Sequence, residues 1–250
     1  MTLPNGILFE DEENKGIIYA GVASLAYTGL ARLAGAPTVA WITDVLARAE
    51  SLGGVLLQLK DAANVKFRSL RLPPHIRRTS FVLVGYGRFR GAPSYVPRGS
   101  DGRTPFLAII SNAEQSDGSW KTEASTEFSI QLSWLTDKFV LRSSGQALFD
   151  KERITLTRTL RKCLASSGEA EPLARLLARQ IRSIAERNSA VGRSVMTTIV
   201  PRSLPDGRDW QMWARGFPLF GTIDESALFK VFRQRDRLPS RIRVISGHKL

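Results

Sequence analysis

"EDEENKGIIYAGVASLAYTGLARLAG" spans Glu10 to Gly35 and decides how the rest of the chain is read. An acidic run ends at a single lysine, Lys15, and an apolar run follows at once. Gly16 to Tyr27 holds paired isoleucines, tyrosine and valine, residues that favour a pleated, half-buried surface. With Gly21 at a turn, the stretch predicts two short adjacent strands. Lys15 then stands at the mouth of a strand, either paired with Glu12 or Glu13 as part of a solvated run or facing something that needs its charge.

Outward from this hairpin the pattern changes period. Pro4-Asn5-Gly6 marks a turn upstream. Downstream, Trp41, Val45 and Leu46 recur at helical spacing from Thr38 to Leu57, with Thr38 as a candidate cap after Pro37. The helical character runs on through "LLQLKDAANVKF", with Gly53-Gly54 as the expected break. After Pro73-Pro74 come β-branched and aromatic runs, "TSFVLVGYGRF" and "PFLAIISN", separated by the polar turn "RGAPSYVPRGSDGRT". "EFSIQLSWL" and "KFVLRSSG" predict another strand pair. Two helices follow, Lys151 to Ala165 and Glu171 to Arg187. Pro172 suits the first turn of the second helix, and Leu173, Leu176, Leu177, Ile181 and Ile184 form its apolar stripe. "VMTTIVPR" is a closing strand. Strands grouped apart from helices predict an α+β fold, with helices outside two sheets.

Composition sets the outer bounds. The 250 residues, 43% apolar, allow one large domain or a domain with an appendage. The formal net charge of +13 raises the prospect of nucleic acid or another anionic partner. A lone cysteine, Cys163, forbids an internal disulfide, and a reducing cytoplasm fits. His75 and His248 offer no metal-ligand spacing, so neither a zinc site nor any other cofactor is expected. No basic-then-apolar leader is read at the N-terminus, and no uncharged apolar run approaches the ~18 residues of a membrane span.

Four local patterns, "NKGIIYAG", "AYTGLARLAGAPT", "VLRSSGQAL" and "ERNSAVGRSVMTTIVPR", carry a resemblance. In this order and on this plan, the chain resembles the N-terminal nucleophile (Ntn) hydrolases, close to bacterial proteasome β-type-like subunits. The resemblance covers Asn14 to Arg202. It implies a four-layer αββα sandwich over residues 1–202, with 203–250 as a basic C-terminal extension. It also implies amide or peptide hydrolase ancestry, a peptide or amide substrate, and self-association into oligomers.

The resemblance implies roles for four residues. Lys15 takes the place of the lysine facing the nucleophile, where an ammonium lowers the pKa of a hydroxyl and an amine. Gly29 takes the place of the glycine whose amide holds the oxyanion; equally, it turns a strand into a loop. Ser144 takes the place of the supporting serine, against the alternative of a strand-end Ser-Ser-Gly turn. Asn188 stands where active members carry aspartate, and Val191 where they carry serine before the glycine, here Gly192. These two departures remove a charge and a hydroxyl. No Asp-x-Arg element precedes Lys15, so the family's first hairpin is expected to be missing. Thr2, exposed by removal of Met1, lies too close to Lys15 by a whole hairpin to serve as the nucleophile. The expected function is an inactive or truncated Ntn-hydrolase domain, with two alternatives: a self-assembling scaffold, or a basic nucleic-acid-binding protein. If the resemblance holds, Lys15, Gly29, Ser144 and Asn188 converge on one end of the sandwich.

Overall fold

The computed structural model describes residues 15–19, 23–49, 51–89, 91–99, 102–115, 119–136, 139–145, 148–167, 170–188, 191, 196–199, 210–216 and 242–244. The Pro4–Gly6 turn, the acidic run before Lys15, Thr2, Gly21, Gly192 and His248 lie outside them.

The expected hairpin is present. Strand β1 (Gly16–Tyr19) pairs antiparallel with β2 (Ala23–Thr28), Ile17 opposite Leu25. A two-residue ladder, β3 (Arg32–Leu33) with β4 (Ala36–Pro37), follows. Its turn is Ala34-Gly35, both at positive φ, which matches the twist of a tight hairpin. Helices α1 (Thr38–Ala47) and α2 (Leu52–Arg68) come next, then β5 (Ser80–Gly87), β6 (Thr104–Ser111) and β7 (Ser129–Trp134). The five long strands form one antiparallel sheet in the order β1-β2-β5-β6-β7.

Two local expectations need correction. The helix break falls at Arg48–Ser51 rather than at Gly53-Gly54. Ser51 is extended and its hydroxyl accepts from the Gly54 amide at 3.1 Å, so the glycines sit inside the first turn of α2. There the backbone donors are capped and the helix tolerates them. Thr38 does not cap α1: its hydroxyl donates to the Leu30 carbonyl at 2.7 Å, and Pro37 occupies the cap position.

One face of the sheet is sealed by α1 and α2. With period-two alternation, Ile17, Tyr19, Leu25, Tyr27, Phe81, Leu83, Phe106, Ala108 and Ile110 point to that side. Ile42, Leu46, Val55, Leu59, Ala63 and Phe67 meet them from the helices. Phe81 sits at the centre, its ring centroid 6.1 Å from Trp41, 6.5 Å from Phe67 and 5.8 Å from Phe128. The opposite face carries Ala26, Val82, Val84, Leu107 and Ile109, and Val84 is 41% exposed.

Helices α3 (Asp150–Ser167) and α4 (Ala170–Arg187) form an antiparallel pair. Arg187 binds Glu152 with both guanidinium nitrogens, one at 2.7 Å from Oε2, and lies 5.0 Å over the Phe149 ring. The Phe149 amide donates to the same carboxylate at 3.1 Å. The Arg187 hydrogen bond, more than any other contact, holds the Glu152 carboxyl below its ordinary pKa. A carboxyl depressed in the folded state contributes its stability at neutral pH and loses it as pH falls through the carboxylate range, about 4 and below. Glu152→Gln is therefore expected to lower stability modestly at neutral pH and hardly at all in acid, which flattens the acid arm of the thermal-stability profile. An acid arm as steep as in the parent would reject this linkage.

Strand β8 (Met196–Ile199) pairs antiparallel with β9 (Trp210–Gly216), which pairs parallel with β10 (Ile242–Val244). This second, three-stranded sheet joins β8 to two strands from later in the chain, and β8 touches β1 and α4. The described residues are thus α+β, with a five-stranded antiparallel sheet and four helices. Among the described residues no helix is long and apolar enough to cross a membrane.

Candidate functional site

One end of the five-stranded sheet is polar across its width. The register aligns Thr28, Ser80, Ser111 and Ser129 on four neighbouring strands. Small hydroxyl residues replace the apolar ladder here because the next residues turn out of the sheet, and their backbone groups need partners. The Ser111 hydroxyl donates to the Thr79 carbonyl at 2.9 Å and accepts from the Ala113 and Glu114 amides at 3.0 and 2.8 Å. Asn112 accepts from the Thr79 amide at 2.8 Å and donates to the Arg77 carbonyl at 3.0 Å.

This tight turn delivers Glu114 into the protein, its side chain fully buried. Three groups meet the carboxylate. Ser80 donates to Oε2 at 2.9 Å, Ser144 donates to Oε2 at 2.7 Å, and Arg142 pairs with Oε1 at 2.7 Å. Gln131 donates to the Glu114 carbonyl at 3.1 Å. A buried carboxylate is tolerable only when paired and hydrogen-bonded, and Glu114 is both. Three atoms at this end, Thr28 Oγ1, Arg77 Nε and Arg142 Nε, are buried with no hydrogen-bond partner among the described residues.

The residues singled out in the sequence fall as follows. Lys15 is exposed, and its carbonyl accepts from the Tyr27 amide at 3.0 Å, which sets it beside the end of β2. Gly29 follows β2 at φ +102°, and a Cβ there would lie 2.5 Å from the Arg78 carbonyl oxygen. Only glycine fits, both for its left-handed backbone and for this close approach. Ser144 is half-buried on Glu114, and Gly145, at φ +90°, packs where a Cβ would lie 3.0 Å from Thr28 Cγ2. The structure therefore brings Lys15, Gly29 and Ser144 to one sheet end. Asn188 closes α4: its amide donates to the Ile184 carbonyl at 2.9 Å, and its carbonyl accepts from the Val191 amide at 3.0 Å. Its helix packs on β8.

The strand expected over "KFVLRSSG" is corrected. Residues 139–145 form no strand, because Arg142 and Ser144 fasten the segment to Glu114 by side-chain bonds instead of a backbone ladder. Glu114 itself escaped the sequence reading. Its signal is the Ser-Asn-x-Glu step leaving "PFLAIISN", a serine set to fold the chain back on itself.

Chemically, the arrangement fixes a serine hydroxyl as a donor to an anion already neutralised by arginine. That holds Ser144 in place. Among the described residues no group of histidine, cysteine and carboxylate side chains is placed to hold a metal ion. Comparison with protein-family models, with curated proteins and with solved structures finds no match.

Proposed function

We propose that this chain is an Ntn-hydrolase-type domain of amide- and peptide-hydrolase ancestry, with impaired hydrolysis, whose substrate-facing end is the one holding Lys15, Gly29 and Ser144. The observation that carries this reading is the meeting of those three residues, from three distant segments, around the end of β2. The apolar sheet face opposite α1 and α2 supports it too, since a four-layer αββα sandwich needs such a face to cover with a second sheet. Impairment follows from Asn188 and Val191 in place of a charge and a hydroxyl, and from the engagement of Ser144 with Glu114.

The test combines activity with binding. Fluorogenic peptides are expected to turn over at the buffer rate, and a peptide epoxyketone is expected to leave the chain unmodified by mass spectrometry. Hydrogen exchange of residues 27–31 and 142–145 should nonetheless slow at millimolar peptide. A covalent adduct at Ser144 or Thr2 with turnover overturns the impairment. Unchanged exchange overturns the assignment of this end to substrate.

A second reading, a non-catalytic self-assembling subunit of the same fold, is favoured by Val84 standing 41% exposed on the sheet face opposite α1 and α2. Native mass spectrometry separates the two, since a strict monomer at high concentration rejects assembly.

A further inference from the structure

We infer that the groove between α3 and α4 binds the phosphate backbone of nucleic acid. The groove has a volume of about 490 Å³ and lies far in sequence from the Lys15 end. Lys151, Thr155 and Thr159 line one wall, and Arg179, Gln180 and Ser183 the other. Leu156, buried, and Leu176 form its apolar floor. Each wall thus offers a cation and neutral hydrogen-bonding groups, the mixture that contacts phosphate oxygens without reading sequence.

The cations continue beyond the groove. Lys162 follows Thr159 by three residues and Arg175 precedes Arg179 by four, so both extend the walls by a turn. α3 carries five lysines and arginines against two acids, and α4 four arginines against two acids. Of the carboxylates, Asp150 pairs with Arg153 and Glu152, at the groove's end, pairs with Arg187. Lys151, Lys162 and Arg179 make no ion pair among the described residues. Isolated like charges along a groove repel one another and leave its potential unneutralised, which favours an extended anion. A polymer fits better than a small anion, because the cations spread over several helical turns instead of converging on one point. Among the described residues no aromatic side chain lines the groove, so contact stops at the backbone and does not include base stacking.

The experiment uses the purified full chain with a fluorescent 20-nucleotide single strand and the matching duplex, titrated between 50 and 200 mM salt. Both should bind, with no preference among sequences. Lys151→Glu/Arg179→Glu should weaken binding at least about tenfold and reduce the salt slope by about one per lost contact, with helicity by circular dichroism unchanged. Arg48→Glu/Arg71→Glu, an equal charge change on exposed residues outside the groove, should weaken binding much less. Equal losses in the two double variants would assign the affinity to net charge alone and overturn the site. No detectable binding at 50 mM salt would overturn it as well. So would displacement of DNA by polyaspartate as readily as by unlabelled oligonucleotide, since that identifies an acidic polypeptide as the partner.

Discussion

Glu114→Ala is expected to lower the free energy of unfolding by about 3 kcal/mol, the lower end of the range for breaking a buried ion pair from one side. The carboxylate is fully buried, so its removal strands every group that was built around it. The Ser80 hydroxyl, on a fully buried residue, loses its acceptor. Ser144 and Arg142 lose the anchor of residues 142–145. The figure sits at the low end because the Arg142 side chain is 25% exposed, so water can solvate the guanidinium once its partner is gone. Glu114→Gln keeps the shape and an acceptor oxygen and is expected to cost less, about 1–2 kcal/mol. Urea unfolding of the three proteins measures both. A loss below 1 kcal/mol for the alanine variant would mean that the network is not formed as described. The same variant bears on function, because hydrogen exchange at 142–145 should accelerate while exchange in β1 stays slow.

The sequence made the strongly periodic parts legible. The runs of β5, β6 and β7 follow from their β-branched and aromatic residues, and α4 from its apolar stripe and the proline of its first turn. The first hairpin was legible for the same reason, as was the glycine after it, whose φ of +102° a bulkier residue would strain. What period cannot show is where a polar side chain finds its partner. Thr38 has the look of a cap, yet its hydroxyl turns to Leu30, eight residues back. Residues 139–145 alternate like a strand, yet Arg142 and Ser144 bind a carboxylate about thirty residues away in sequence. Glu114 was illegible because a glutamate beside a polar turn reads as solvated, and only the meeting of three chain segments buries it. The basic groove was legible as charge but not as a place, since the facing of Lys151 and Arg179 needs the pairing of two helices.

Phe81→Ala is expected to cost about 3–5 kcal/mol, the largest effect of any substitution considered. Phe81 is fully buried at the middle of the core, and its ring meets Tyr27, Trp41, Phe67 and Phe128. Those four rings come from β2, α1, α2 and the approach to β7, so one side chain joins both helices to the sheet. Truncation removes the transfer energy of the ring and leaves a cavity that four aromatic neighbours, packed edge-to-face and tilted, cannot close without leaving their rotamers. Phe89→Ala is the control. Phe89 also packs on two rings, Phe106 and Trp134, but lies partly exposed at the sheet's other end, where solvent fills the space. It should cost less by at least 1 kcal/mol. Chemical unfolding with an unchanged denaturant slope would assign the loss to the folded core. Equal costs for the two phenylalanines would show that Phe81 is not the joint between helices and sheet. Because Phe81 follows Ser80 on β5 and points to the opposite face, its loss should also loosen the strand that presents Ser80 to Glu114, so hydrogen exchange in β5 and at 142–145 should rise together. A rise in β5 alone would separate the polar sheet end from the core beneath it.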